Sequence, residues 1–595
     1  MAGRRCSQMA TEKNGGSMNR LIETAVAPMV GWLREGYSLC VSLSWGKDST
    51  AVLVLVIEAM KRAKAAGITL PQCFAITSDT TVENPALGAF FEQMSSELER
   101  FCVLNELPLE YRLVTPPLTA SFHYVTVGRG KLPRYPGMSR DCSKDWKINP
   151  IVKEKKALSR QFGNAIISLV GTRFSESEER EARMLARGDE AGVILTNPDG
   201  DLYAVPIADW DEVDVWTLLR KCDQRMGNPL LTSFVRHFDD LVLLYKDANG
   251  GCVSGLADSQ LNSSACGARF GCWSCVATGE RDKSLQAMIE NDHDQYGYLK
   301  PIADFRDWLF GVRWDMSARE WLGRTVDPVT GHIVLQPDYF SFKTRRQILR
   351  CMLSIDADEC AWADEHNDGF PRFQLIQPWQ LVIIDFIWSI YRDAPHAFSA
   401  LYEYYQIHRC GRRYYPEQGQ PAEKAPVPKR RWFKPPEGFA PPDGIGGLTD
   451  PLIIHAQRHA GIKQPTIKDR VTGVEKEIMA FDIVPEMEID KSEALLWLEH
   501  FIDNPIAIEC TGEDPAEAIK FYLHQRMVKV SHGQPASLDE IIQRSEMWAR
   551  LQRKLNVPDI QAWAIENSIS DEEHEAIKAF YPKSSRHNVI FMEAA

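Results

Sequence analysis

An apolar strand that breaks into Ser-Trp-Gly-Lys-Asp-Ser and at once becomes a helix, "VSLSWGKDSTAVLVLVIEAM" from Val41 to Met60, constrains this chain more than any other stretch. Free backbone N–H groups and the helix dipole make the start of such a helix an anion site, and in doubly wound sheets that place is where ligands bind. Gly46 lets the backbone come close, Ser44 and Ser49 offer hydroxyls, and Lys47 adds a full positive charge. The Walker A pattern requires glycine at position 41 and serine or threonine at position 48. Val41 and Asp48 stand there instead. The plainer alternative is that serine and aspartate only cap a helix.

The residues around this turn alternate in period. An amphipathic helix with Leu21, Val26, Met29, Val30 and Leu33 is followed by strand "SLCVSL", a helix from Ser49 to about Ala65, strand "QCFAIT" and helix "NPALGAFFEQMSSELERFCVLN". Strands "LEYRLVTP" and "AIISLVGTR" come next, separated by the long insertion "GRGKLPRYPGMSRDCSKDWKINP", whose size suits a ligand loop. "YAVPIADWDEVDVWTLLRKC" reads as a short segment ending at Ile207, then a helix with Asp211 near its start. The fold class expected is therefore α/β, a doubly wound and mostly parallel sheet.

At 595 residues the chain exceeds one hydrophobic core. The expected division is a flexible tail over 1–18, the α/β domain over 19–235, a cysteine subdomain over 236–355 and a helical extension over 356–410. A proline-rich basic linker over 411–451 and a mostly helical region over 452–595 complete it. A formal charge of -13 argues against coating nucleic acid by bulk electrostatics, and leaves room for a local basic stripe. No apolar run approaches a membrane span and the first residues lack a signal core, so a cytoplasmic protein with no membrane partner is expected.

Cys252, Cys266, Cys272 and Cys275 fall in one short window with spacing C-x13-C-x5-C-x2-C. Four thiolates suit structural zinc or an iron–sulfur cluster, and four packed structural thiols are the bland alternative. Phe270, Gly271 and Trp273 supply tight turns and apolar cover.

The loop Ser44–Ser49 resembles the S-G-G-x-D-S pyrophosphate loop of the PP-loop ATP pyrophosphatases, with Trp45 replacing one glycine. "ITSDTTVENP", "GTRFSESEERE" and "PIADWDEVDVW" resemble successive blocks of the phosphoadenosine phosphosulfate reductase superfamily. Within it, "ENP", "GRGKLP" and "RFGCWSC" are most similar to the DndC/SspD family of DNA phosphorothioation proteins, over about residues 20 to 355. The resemblance implies ATP and Mg2+ on a loop of Ser44, Trp45, Gly46, Lys47, Asp48 and Ser49, with Asp79 reaching the nucleotide or its magnesium. Arg173 and Arg180 would meet the α-phosphate, giving Lys47, Asp48, Arg173 and Arg180 catalytic roles. Their alternative is a surface salt-bridge ladder.

Lys147 keeps its place for a phosphate, although Asp141 and Asp145 depart from the family pattern and Cys142 reads equally as an inert thiol. The resemblance also tips Cys252, Cys266, Cys272 and Cys275 toward a [4Fe-4S] cluster, with zinc as the alternative. It implies a cysteine desulfurase as sulfur donor and other phosphorothioation subunits as partners. The implied activity is adenylation of a DNA backbone phosphate followed by sulfur insertion.

Three rivals stand beside it: a sulfonucleotide reductase, an RNA thiolation enzyme and a non-catalytic, nucleotide-switched assembly subunit. A reductase would need a C-terminal Glu-Cys-Gly-[Ile/Leu]-His tail, which "NVIFMEAA" lacks and "IECTGEDP" around Cys510 only partly echoes. For DNA, single strands above all, the candidates are Arg412, Arg413, Lys429, Arg430, Arg431 and Lys434 interleaved with Tyr414, Tyr415, Trp432 and Phe433. A solvated linker is the plainer reading of the same residues.

Overall fold

The computed structural model describes residues 3–136, 141–248, 270–327, 330, 332–366, 369–391, 394–417, 427–434, 466–468, 475–477, 487–504, 514–530 and 552–580. The chain divides into two compact units. The first takes Met1–Pro116, Arg140–Trp273 and Asp282–Lys300, and the second takes Pro117–Ser139, Ser274–Arg281 and Pro301–Ala595. The stretch expected as a separate cysteine subdomain, 236–355, is thus shared between them. In the first unit, helices Asp239–Ala248 and Lys283–Asn291 turn Leu241, Leu244, Leu285 and Met288 inward, too little apolar surface for a core of their own.

A six-stranded sheet organises the first unit. Its strands are β1 (Ser38–Ser42), β2 (Cys73–Ser78), β3 (Leu109–Val114), β4 (Ile166–Leu169), β5 (Leu195–Thr196) and β6 (Leu202–Ala204), in the spatial order β3-β2-β1-β4-β6-β5. Only β5 runs antiparallel to its neighbour; the other pairings are parallel. The predicted α/β class therefore holds. Leu39, Cys40, Val41, Phe74, Ala75 and Ile76 are buried, as strands covered on both faces require.

The chain builds outward from β1 through β2 to β3, then returns to place β4 on the other side of β1. That reversal opens a crevice at the carboxyl ends of β1 and β4, the place where such sheets take ligands. Helix α2 (Lys47–Ala65) starts in it, two residues earlier than the sequence pattern suggested. Helix α3 (Pro85–Leu104) is capped by the Asn84 side chain, which accepts from the Ala86 amide.

Helix α1 (Gly3–Arg34) covers the stretch expected as a flexible tail. Met, Ala, Glu and Lys in that stretch are good helix formers, and the helix continues into buried Ile22, Val26, Met29 and Leu33. In the short segment expected to end at Ile207, β6 stops at Ala204, and Ile207 and Ala208 close turns to Trp210 and Val205. Helix Glu212–Lys221 follows, with Asp211 as its cap as predicted.

In the second unit, β7 (Arg319–Val326), β8 (Ile333–Phe340), β9 (Arg431–Phe433) and the strand Ser568–Ser570 form an antiparallel sheet. Strand β9 lies inside the stretch expected as an extended linker. Extended backbone also pairs, and β9 finds partners in both β8 and Ser568–Ser570. Helices Phe342–His366, Pro378–Ile390, Ser399–His408, Lys491–Asp503 and Pro515–His524 supply the helical part. The other amphipathic stretch expected in this region, "DEIIQRSEMWARLQRKL", lies mostly outside the described residues. Among the described residues no helix is long and apolar enough to cross a membrane.

Two buried carboxyls tie these helices to their connections. Asp356 accepts from the Leu375 and Ile376 amides at 2.6 and 2.9 Å, and Asp385 accepts from the Ala400 amide at 2.7 Å and the Tyr522 hydroxyl at 2.9 Å. Burial raises Asp356 to about 8 and Asp385 to about 7, while the hydrogen bonds pull the other way. A carboxyl whose pKa rises on folding stabilises the fold fully below its unfolded pKa, and that contribution is lost as pH climbs through the folded value. Thermal melts should therefore show an Asp385→Asn variant losing less stability than the parent between pH 5 and pH 9; equal losses would contradict the assignment.

Candidate functional site

The crevice is built by two loops that are distant in sequence. After β1 the chain passes through Leu43, Ser44 and Trp45 to Gly46, which caps α2 without a side-chain bond. Trp45 has φ of 56°, the left-handed conformation that glycine adopts freely and other residues enter at about 1–2 kcal/mol. The family pattern places glycine at this position, so the backbone requirement is kept while the residue differs. The indole does not lie open to a ligand: it is 1% exposed, 5.6 Å from the Tyr111 ring and 6.1 Å from the Phe234 ring.

After β4 the second loop brings Gly171 against the first turn of α2. A Cβ at Gly171 would lie 2.9 Å from the Asp48 carbonyl carbon and 3.1 Å from the Ser49 nitrogen. Two residues on, buried Arg173 donates from Nε to Asp48 Oδ1 at 2.7 Å and from Nη1 to the Ser175 hydroxyl at 2.9 Å. The other Asp48 oxygen lies 3.3 Å from Lys47 Nζ. Asp48 thus holds two cations at the start of one helix.

Lys47 Nζ also lies 3.6 Å from Glu212 and 5.2 Å from the Tyr245 ring centroid, and the Lys47 amide donates to the Tyr245 hydroxyl at 3.3 Å. Burial pulls the Lys47 ammonium down, but Tyr245, Asp48 and Glu212 outweigh it and hold the group above the usual lysine range. It is firmly cationic. Tyr245 is itself buried, edge-on to Trp216 at 5.3 Å and to Phe270 at 5.1 Å. The Ser44 and Ser49 hydroxyls pair at 3.1 Å, and Ser49 donates to the Gly46 carbonyl.

The remaining predicted residues form a second group along the same sheet edge. Asp79 follows β2 and accepts from the Thr81 amide at 2.7 Å, shaping a turn in which Thr81 has φ of 62°. In that turn the Thr80 hydroxyl binds Glu83 at 2.9 Å and lies 3.7 Å from Cys272 Sγ, while Lys147 Nζ lies 3.2 Å from Glu83. Desolvation lowers the Lys147 ammonium, and Glu83 with the thiols of Cys272 and Cys142 more than offsets that, leaving it raised. The Trp273 amide donates to the Val82 carbonyl at 2.9 Å, which fixes Cys272 beside this turn.

Arg180 is one step removed from the loop. Its guanidinium pairs with Glu176 at i,i+4, and the other Glu176 oxygen accepts from the Arg173 amide. Of the four cysteines, Cys252 and Cys266 lie outside the described residues. Cys275 presents its carbonyl to Arg306 at 3.0 Å. Among the described residues no group of three or more His, Cys, Asp or Glu side chains is placed to hold a metal ion.

Two of the four aromatic residues chosen for DNA contact, Trp432 and Phe433, are not free to stack on bases, whereas Tyr415 is exposed. Trp432 and Phe433 are buried in β9, Trp432 lies against His574 with ring centroids 3.8 Å apart, and Phe433 meets Trp563. Lys429, Arg430 and Arg413 pair with Glu572, Asp571 and Asp358, and Arg431 donates to Ser568. At Trp432 and Phe433 neither a stacking platform nor a solvated linker describes the chain, since both rings are buried in a paired strand.

Sequence reading passed over Gly171, Glu212 and Tyr245 as parts of the site. Gly171 stood in a quoted motif, where its neighbour Arg173 drew the attention; Glu212 and Tyr245 reach the loop through tertiary packing alone. Substitution Gly171→Ala should clash with the Asp48 and Ser49 backbone and cost about 1–3 kcal/mol, read as a lower melting temperature; an unchanged melt would contradict the close approach. Trp45→Gly should lower the melting temperature, since losing a buried tryptophan costs about 3–5 kcal/mol against about 1–2 kcal/mol of relieved backbone strain.

No curated protein matches the chain. Residues 38–276 match the family model of the phosphoadenosine phosphosulfate reductase domain, so the segment that carries the crevice is similar, in sequence as in its mostly parallel sheet, to the PP-loop superfamily.

Proposed function

We propose that the protein is an ATP pyrophosphatase that adenylates a DNA backbone phosphate and helps replace one of its non-bridging oxygens with sulfur. The reading is carried by one observation: Lys47 and Arg173, from opposite sides of the crevice, meet at Asp48 where α2 begins. The start of α2 and the Lys47 ammonium suit the β- and γ-phosphates, and Arg173 suits the α-phosphate. A DNA phosphate oxygen would attack the α-phosphorus, the α–β bridging bond would break, and pyrophosphate would leave. The outer sulfur of a persulfide carried by a cysteine desulfurase would then attack the activated phosphorus and displace AMP, and a thiol would cleave the S–S bond, leaving the sulfur on phosphorus and a disulfide as the oxidised product.

The protein's share of this chemistry is positioning and charge neutralisation. Magnesium, when bound with ATP, would add charge neutralisation on the leaving pyrophosphate, and Asp79 stands on the correct sheet edge to approach it. The similarity of residues 38–276 to a sulfonucleotide-handling domain supports pairing nucleotide with sulfur chemistry. The DndC/SspD likeness of "GRGKLP" and "RFGCWSC" supports DNA as the acceptor.

The decisive assay follows pyrophosphate from ATP with and without a DNA oligonucleotide. Pyrophosphate release that Lys47→Ala lowers by about 10²–10³-fold is expected. No release, or release unaffected by Lys47→Ala, would reject the assigned site. Mass spectrometry of nuclease-digested DNA from cells with and without the gene should show sulfur-containing dinucleotides only with it. Sulfur found in RNA instead would make the acceptor RNA.

A further inference from the structure

Arg413, Lys429 and Arg430 already sit in ion pairs, which directs attention to another basic stretch of the chain. Between residues 144 and 160, six basic residues face two acidic ones in a chain whose formal charge is -13. Most of this stretch is helix Asn149–Phe162, an amphipathic element with Leu158 packed on Cys40, Phe74 and Ile76. Ile151 joins the same apolar cluster, and Lys155 turns inward to the Ser168 hydroxyl at 2.5 Å. That orientation fixes the outer face.

Residues at spacings of three, four and seven share one side of a helix, so Lys153, Lys156 and Arg160 stand in a row, with Asn149 before them. All four are exposed. Among the described residues none of Lys153, Lys156 and Arg160 is in an ion pair; Arg160 Nε only donates to the Lys156 carbonyl, at 3.0 Å. No carboxylate stands in the row. Glu154 lies on the flank, and Asp145, which accepts from Asn149 Nδ2 at 3.4 Å, precedes the helix. Exposed Lys144 extends the charge in the same direction.

The row leads to the candidate site. The helix begins where the Ser78 hydroxyl, at the end of β2, donates to the Trp146 carbonyl at 2.6 Å, and there Lys147 meets Glu83. From Lys153 to Arg160 the face spans about 10 Å at ~1.5 Å per residue, close to three phosphate-to-phosphate steps at the ~3.4 Å axial rise of one DNA strand. Three cations with no ion-pair partner among the described residues, set in a regular row, complement the regularly spaced charges of a polyphosphate backbone.

We propose that the face Lys153, Lys156 and Arg160 docks the backbone of the DNA whose phosphate reaches the crevice. The proposal rests on the adenylyl-transfer reading for its choice of DNA over other polyanions. Its test uses the full chain, a labelled DNA oligonucleotide in single- and double-stranded form, and an RNA of equal length. A triple variant, Lys153→Gln with Lys156→Gln and Arg160→Gln, should bind DNA at least about tenfold more weakly at low salt. The slope of log affinity against log salt should fall by about 2. ATP affinity and melting temperature should match the parent, and the single reversal Lys156→Glu should act in the same direction. DNA affinity and slope unchanged in both variants, no DNA binding by the parent, or tighter binding of RNA than DNA would each overturn the proposal. Pyrophosphate release measured on the same samples separates the two readings: release that survives while docking fails leaves the crevice assignment standing.

Discussion

The bond between Arg173 and Asp48 is the interaction on which the rest of the crevice depends. It joins the loop after β1 to the loop after β4 across more than a hundred residues of chain, at the one place in the sheet where strand order reverses. A 2.7 Å contact between buried guanidinium and carboxylate is charge-assisted, and breaking one partner of such a pair leaves the other uncompensated. The same carboxylate neighbours Lys47, so losing Asp48 would release both cations at once. Close approach is the precondition, and Gly171 provides it by having no side chain where the first turn of α2 passes.

Trp45 shows how a site can keep a backbone geometry while changing the residue that delivers it. The turn demands positive φ, and tryptophan meets that demand because burying its ring between Tyr111 and Phe234 outweighs the strain. The ring braces the loop from beneath. Its conformation is thus over-determined by packing, the condition under which strained backbone persists at functional sites.

The parallel sheet, the placement of the loop at the end of β1 and a helix starting near Asp211 were legible in the sequence, because each is written in local periodicity or in a side chain next to the backbone it serves. The partners of the loop were not. Gly171, Glu212 and Tyr245 come from three different elements, and no spacing in the chain announces that they converge on the first turn of α2, Gly171 at Asp48 and the other two at Lys47. The stretch around β9 misled for a different reason. Proline density correctly signals extended backbone, yet it cannot say whether that backbone is solvated or, like Arg431–Phe433, paired in a sheet with its aromatic rings buried.

Cys272 carries the argument one step beyond the loop itself. Its sulfur lies 3.7 Å from the Thr80 hydroxyl, in the turn that Asp79 shapes, and the Trp273 amide pins it there through Val82. Phe270, two residues earlier, packs edge-on against Tyr245, whose hydroxyl accepts from the Lys47 amide. One short segment of the cysteine-rich region therefore touches both the phosphate-type loop and the neighbouring strand end. Through Phe270 on Tyr245 and Cys272 beside Thr80, that segment ties together two of the loops at the carboxyl edge of the sheet, so a change in how the cysteines are held would be felt at both Lys47 and the turn after β2.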